Sequence, residues 1–131
     1  MSSQFIPHGK CNIAVEDNLL IVEIEGPWNI EFIQNMHASL LKASQHVDIN
    51  NYGILLILHG ETLAVQEAID YHVEFIQQVN TKALAINLAH SNIPSMTKQM
   101  CEKIYRTVNF PSQYFTDTPS AKEWLQSQLS L

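Results

Sequence analysis

The chain has 131 residues, 46% hydrophobic and 15% charged, a composition typical of one folded globular domain. Thirteen acidic against seven basic residues give a formal net charge of −6, which argues against binding nucleic acid or an anionic membrane surface. The first nine residues lack the pattern of a signal peptide, and no apolar run approaches the roughly 20 residues of a membrane helix. Cys11 and Cys101 are isolated, so we expect free thiols and a cytoplasmic protein.

The first predicted elements form a β-hairpin. Residues 12–16 and 19–25 are apolar runs of strand length, and Asp17-Asn18 between them predicts a tight turn. In the second run apolar residues alternate with others, which predicts one buried face. That face consists of Leu20, Val22 and Ile24.

Helices and strands alternate after Gly26-Pro27. Residues 29–44 have helical spacing, with Asn29 as the expected N-cap, and residues 54–58 predict a strand covered on both faces. A second helix is expected over residues 63–79 and a further buried strand over residues 82–88. The apolar stripe of that second helix consists of Val65, Ala68, Ile69, Val73, Ile76 and Val79.

The last predicted elements are a helix over residues 95–107, a short strand over residues 113–116 and a final helix. Thr118 is the expected cap of the final helix, with Pro119 at its first position. The order β-β-α-β-α-β-α-β-α predicts an α/β domain with a mixed, mostly parallel sheet flanked by helices. The inner face expected for the third helix consists of Met96, Met100, Ile104 and Val108, joined by Cys101 and Tyr105.

Two short motifs resemble the SpoIIAA-like (STAS) superfamily, and in particular its bacterial branch of unknown function. They are Glu25-Gly26-Pro27-Trp28-Asn29 after the hairpin and the closing segment 114–125, YFTDTPSAKEWL. The resemblance implies one SpoIIAA-like (STAS-like) domain over residues 1–131, with an antiparallel first strand and four helices. The fold class also resembles the CRAL-TRIO lipid carriers, which implies a small apolar ligand.

The segment His59-Gly60-Glu61-Thr62 follows a predicted buried strand, where ligands often bind in α/β proteins. In the sporulation anti-anti-sigma factors the resemblance implies a phosphorylated serine after an aspartate at this hinge, and the pair is absent here. Thr62 is then either a phosphoacceptor or ligand contact, or the N-cap of the next helix with Gly60 permitting the turn. We favour the cap.

His90, Ser91 and Asn92 follow the next buried strand, so His59 and His90 are expected to be neighbours. With Glu61 they are the one constellation to consider for acid–base chemistry or metal binding, and two exposed hinge histidines are the favoured alternative. The six histidines lack the spacing of a metal site, and nucleophile-elbow and phosphate-loop motifs are absent. We therefore expect no metal, cofactor or catalytic residue.

The second helix carries three further residues of interest. His72 lies on its apolar stripe and is expected to be a partly buried, hydrogen-bonded histidine. Tyr71 and Phe75 are four residues apart and either form an exposed pair for a protein partner or dimer mate, or widen the buried face. We favour the buried face.

Three functional hypotheses follow. The leading one is a non-enzymatic module that engages another protein, or its own copy, through helices two and three and the adjoining hinges. The alternative is a carrier of a small apolar ligand, motivated by Met96 and Met100, because methionine adapts to varied apolar shapes. The weakest is a hydrolase-type enzyme that uses the hinge histidines.

Overall fold

A computed structural model describes residues 9–131. His8 lies outside these residues. So do eight of the nine N-terminal residues in which we expect no signal peptide. The strands are β1 (Lys10–Glu16), β2 (Leu19–Glu25), β3 (Gly53–Gly60), β4 (Ala83–Ser91) and β5 (Ser112–Phe115). The helices are α1 (Ile30–Ala43), α2 (Gln66–Ile76), α3 (Pro94–Tyr105) and α4 (Thr118–Leu129), and a 3₁₀ turn (Ser44–His46) follows α1.

The five strands form one sheet in the order in which they occur along the chain. β1 is antiparallel to β2, and every later neighbouring pair is parallel. Asp17 turns the hairpin with a φ of 53°, in the left-handed region where aspartate is enriched. The predicted α/β class, the order of elements and the antiparallel first strand are confirmed.

The two faces of the sheet are covered unequally. Parallel strands in sequential order with right-handed crossovers place α1, α2 and α3 on the same face. Leu20, Val22 and Ile24 pack against these helices and are at most 5% exposed, as their alternation predicts. α4 alone covers the opposite face, where Ala121 and Leu125 pack against the amino-terminal halves of β3 and β4.

Helix α2 is shorter than predicted, since it begins at Gln66 and ends at Ile76. Residues 63–65 are instead held against the segment after β2. The backbone N–H of Trp28 donates to the carbonyl of Leu63 over 2.9 Å, and the N–H of Val65 donates to the carbonyl of Trp28 over 3.1 Å. Hydrogen bonds to a distant segment therefore replace the first helical turn, and Val65 is 54% exposed rather than part of a buried stripe.

Two predictions for the later helices are wrong. Asp117, not Thr118, caps α4, because its carboxylate accepts a hydrogen bond from the backbone N–H of Ser120 over 2.7 Å. On α3 the fully buried residue of the first turn is Thr97, whereas Met96 is 55% exposed. Among the helices of residues 9–131, none combines the length and the hydropathy needed to cross a bilayer.

Asn29 is the N-cap of α1, as predicted, and its side-chain oxygen accepts from the N–H of Phe32 over 2.9 Å. We expect Asn29→Ala to lower the free energy of unfolding by about 1 kcal/mol, because an orphan N–H of the first turn loses its acceptor. Asn29→Asp is the matched control and keeps the acceptor. Urea denaturation measures both variants, and equal destabilisation by the two substitutions would contradict the capping role.

Candidate ligand cavity and the hinge residues

The hinge after β3 turns the chain and is tied to its neighbours. Gly60 has a φ of 75°, a conformation that side chains rarely adopt, so the predicted role of this glycine is confirmed. A Cβ at Gly26 would lie 2.0 Å from the carbonyl oxygen of Glu61, so only glycine permits this approach. The N–H of Asn92 donates to the carbonyl of Gly60 over 2.8 Å, which joins the hinges after β3 and β4.

Thr62 is fully buried and does not cap α2, whose N-cap is Val65. Its hydroxyl oxygen lies 2.5 Å from the hydroxyl oxygens of Ser91 and Thr97. The Thr97 hydroxyl also lies within 3.0 Å of the carbonyl oxygen of Thr62. The predicted cap is therefore wrong because the side chain turns inward and fastens the hinge to α3. In this conformation the Thr62 hydroxyl is closed to a phosphate donor.

His59 and His90 are neighbours, as predicted, but they lie within the strands rather than after them, because β3 extends to Gly60 and β4 to Ser91. They are partners in the β3–β4 register, and their rings stack with centroids 4.8 Å apart and planes inclined by 4°. The carboxylate hydrogen-bonded to His59 is that of Glu23 on β2, whose Oε2 lies 2.9 Å from Nε2 of His59, whereas the predicted Glu61 is exposed. Within residues 9–131, no group of three or more His, Cys, Asp or Glu side chains is arranged to hold a metal ion.

The cluster of Glu23, His59 and His90 lies on the face of the sheet that α4 covers only at its amino-terminal half. The side chains of His59 and Glu23 are 35% and 45% exposed. A polar contact this exposed stabilises a fold by at most about 1 kcal/mol. The cluster is therefore a surface feature, and His90 is exposed as well.

An apolar cavity of about 210 Å³ lies on the opposite face, between the sheet and the three helices. Leu20, Ile54 and Leu84 form its floor on β2, β3 and β4. Phe75 of α2 and Phe110 of the segment after α3 are among its walls. None of the lining residues in the described part of the chain is a lysine, arginine, aspartate or glutamate. The lining of the cavity is thus suited to an uncharged, mostly apolar ligand.

Ile54 shows how the cavity departs from ordinary packing. It lies on the central strand, on the face that three helices cover, and yet it is only partly buried. Its neighbour Leu55, on the face covered by a single helix, has no exposure at all. The empty space above Ile54 accounts for this inversion.

The mouth of the cavity is apolar as well. Leu41 of α1 and Ile49 of the loop before β3 both line the cavity, and they are 56% and 55% exposed. Exposed apolar side chains grouped around a concavity are typical of ligand-binding sites.

A chain of three side chains links the helices beside the cavity. Nε2 of His37 on α1 lies 2.8 Å from Nδ1 of His72 on α2, and Nε2 of His72 lies 2.9 Å from the hydroxyl of Tyr105 on α3. The His37 ring stacks on Phe75 and Tyr71, with centroids 3.7 and 5.4 Å away. The expectation of a partly buried, hydrogen-bonded His72 is confirmed. Tyr71 and Phe75 both pack on His37, and Tyr71 is 37% exposed.

Burial keeps the side chains of His37, His72 and Tyr105 uncharged. Desolvation lowers the pKa of His37 to about 4, and desolvation together with the charge of His37 lowers the pKa of His72 to about 3. Burial likewise raises the pKa of the Tyr105 hydroxyl well above its usual value. Both imidazoles and the phenol are therefore neutral at pH 7.

A second, smaller cavity of about 50 Å³ lies closer to the carboxyl ends of the strands. His72 and Tyr105 line both cavities, as do Met36 and Leu56. The hydrogen-bonded pair thus stands between two apolar spaces. Met100 lines the smaller cavity, whereas Met96 lies on the surface, so one of the two methionines that motivated the carrier hypothesis is not near a cavity.

Cys101 also faces the smaller cavity and is 4% exposed. Burial, with a contribution from Glu102, raises the pKa of its thiol to about 12. A thiol with this pKa holds almost no thiolate at neutral pH, so Cys101 is a packing residue rather than a nucleophile.

Comparison with known proteins identifies the fold. No family model and no curated protein matches the sequence. Among solved structures, the chain is similar to an uncharacterized protein of the DUF3478 family from Shewanella loihica PV-4, which has a SpoIIAA-like fold. The TM-score is 0.61 at 16% sequence identity, over 95% of this chain and 98% of the other.

The fold is SpoIIAA-like. The five-stranded mixed sheet with four helices agrees with the architecture expected from the two sequence motifs. At 16% identity the similarity identifies the SpoIIAA-like fold and carries no information on activity.

Stability should depend on pH through His37 and His72. Unfolded histidines take up protons below a pKa of about 6.5, whereas the folded protein keeps both rings neutral until the pH approaches 4 and 3. The free energy of unfolding should therefore fall by roughly 3–4 kcal/mol between pH 7 and pH 5, about half of it from each ring. Denaturant titrations at several pH values measure the slope.

The variant His37→Phe keeps a flat ring against Phe75 and removes one titrating group, so its slope should be shallower. His46→Gln, at an exposed histidine of the 3₁₀ turn, is the matched control and should keep the wild-type slope. Equal slopes for His37→Phe and the wild type would show that His37 is not neutral in the folded state.

Proposed function

We propose that this SpoIIAA-like domain binds a small, largely apolar molecule in the cavity between the sheet and helices α1, α2 and α3. The observation that carries the proposal is the cavity of about 210 Å³ with an apolar mouth. An empty apolar cavity of about 150 Å³ in another protein is large enough to bind benzene. The space here therefore suits a molecule somewhat larger than one aromatic ring.

The energetics also support binding. Side chains that line an empty space lose their dispersion contacts, and the residual void costs roughly 24 cal/mol per Å³ in core-truncation series. A ligand that fills the cavity restores these contacts and removes apolar surface from water. The exposed Leu41 and Ile49 at the mouth would be covered by the same event.

A larger side chain that fills the cavity should stabilise the fold as a bound ligand would. Ile54→Phe places an aromatic ring in the free space, and we expect it to raise the free energy of unfolding by about 1 kcal/mol. Leu55→Phe is the matched control on the opposite face, where there is no free space, and we expect it to lower the free energy of unfolding by about 1–3 kcal/mol.

Binding itself is measured by adding ethylbenzene to methyl-labelled protein and recording NMR shifts. We expect shifts at Leu20, Leu84 and Ile76 in the wild type and none in Ile54→Phe. Native mass spectrometry after gentle purification would detect a co-purified molecule directly. The proposal is wrong if ethylbenzene leaves the lining methyl groups unshifted and Ile54→Phe destabilises as much as Leu55→Phe.

A second candidate function, interaction with a protein partner, is favoured by two exposed apolar side chains. Val65 precedes α2 and Met96 lies in the first turn of α3, and they are 54% and 55% exposed. Both helices begin beyond the carboxyl ends of β3 and β4, next to the joined hinges. This surface is the one through which a regulatory module would engage its partner.

The double variant Val65→Ser with Met96→Ser should lose any partner that binds there, because the apolar contact area is removed. Val15→Ser, at a strand position 41% exposed, is the control and should retain the partner. Affinity purification from the source lysate, compared across the three proteins, is the measurement. A partner recovered equally with all three would place its contact elsewhere.

A further inference from the structure

The three hydrogen-bonded side chains beside the cavity carry one more N–H or O–H donor than the hydrogen bonds between them use. Neutral His37 and neutral His72 each carry one N–H, and Tyr105 carries one O–H. These three protons serve two hydrogen bonds, one between His37 and His72 and one between His72 and Tyr105. One donor is therefore left over, and it lies at one of the two ends of the chain.

The His37 end is a poor place for the extra proton. Nδ1 of His37 is buried without a hydrogen-bond partner among residues 9–131, and the residue is 3% exposed. The Phe75 and Tyr71 rings lie nearly parallel to the imidazole, inclined by 8° and 14°, so an N–H in the ring plane does not point at either face. A buried N–H with no acceptor is rare in proteins.

The other arrangement leaves only a lone pair unused at His37. His37 then donates from Nε2 to Nδ1 of His72, and His72 donates from Nε2 to the oxygen of Tyr105. The Tyr105 hydroxyl proton is free to rotate, and Tyr105 lines both cavities. The spare donor is thus available at the cavity wall.

We propose that the Tyr105 hydroxyl donates a hydrogen bond to the ligand. The cavity would then bind uncharged, largely apolar molecules that carry a hydrogen-bond acceptor such as a ketone, ester or ether oxygen. The proposal rests on the proposed function, since it names the ligand class of the same cavity. It also excludes anions, because a carboxylate would meet no cationic side chain among the described lining residues. The neighbouring imidazoles stay neutral and would not compensate the charge.

Three probes of similar size test the proposal: acetophenone, ethylbenzene and benzoate. Their dissociation constants are measured by NMR titration of the lining methyl groups in the wild type and in Tyr105→Phe. Transfer from water favours ethylbenzene over acetophenone, so the informative quantity is the change between the two proteins. We expect Tyr105→Phe to weaken acetophenone by about three- to tenfold and to change ethylbenzene by less than about twofold. Benzoate should bind neither protein.

Two further variants make the test specific. Tyr114→Phe removes the hydroxyl of a tyrosine on β5 that does not line the cavity, and it should leave every dissociation constant unchanged. Tyr52→Phe tests the rival donor on the cavity wall, because the hydroxyls of Tyr52 and Thr81 carry two protons and share one hydrogen bond of 2.9 Å. If Tyr105→Phe does not fold, Tyr52→Phe still tests the proposal, which predicts that the affinity for acetophenone is retained.

The outcomes separate the two proposals. If no probe shifts a lining methyl group, the proposed function fails. If ethylbenzene binds but Tyr105→Phe weakens both neutral probes equally, or neither, Tyr105 only packs against the ligand and the inference fails alone. Weakening of acetophenone by Tyr52→Phe, or tight binding of benzoate, overturns the inference in the same way.

Discussion

A single chain of hydrogen bonds across His37, His72 and Tyr105 connects the three helices on one face of the sheet. Each residue comes from a different helix, and parallel crossovers of one hand place all three helices side by side. Because His37 is buried and both imidazoles are neutral, the hydrogen bonds link the helices without adding a charge to the core. The apolar cavity beside these residues depends on this arrangement of the helices.

The two faces of the sheet differ in how tightly they are packed. α4 packs its small residue Ala121 and its Leu125 against Leu55 and Ala85, which leaves that face solid where it is covered. The hydrophobic core on the three-helix face contains more residues, and the cavity lies within it. The hydroxyl of Thr62 contacts the hydroxyls of Ser91 and Thr97 and so holds the hinge after β3 against β4 and α3.

Local sequence patterns were sufficient for the elements and for some neighbours, and long-range side-chain contacts account for the rest. The alternation in β2 located its buried face, and adjacent strands located the His59–His90 pair. The cavity depends on contacts between residues 33–35 positions apart, which no local periodicity encodes. The first turn expected for α2 was lost to hydrogen bonds with Trp28, and Thr62 was buried by partners on other elements.

The proposed function requires an apolar space on the three-helix face that an uncharged guest can enter. A crystal of the protein under xenon gas tests it most directly, because xenon is apolar, uncharged and easily located. We expect a xenon atom between Ile54, Leu84 and Phe75. A crystal that binds xenon elsewhere, with Phe110 or another side chain filling this space, would contradict this expectation.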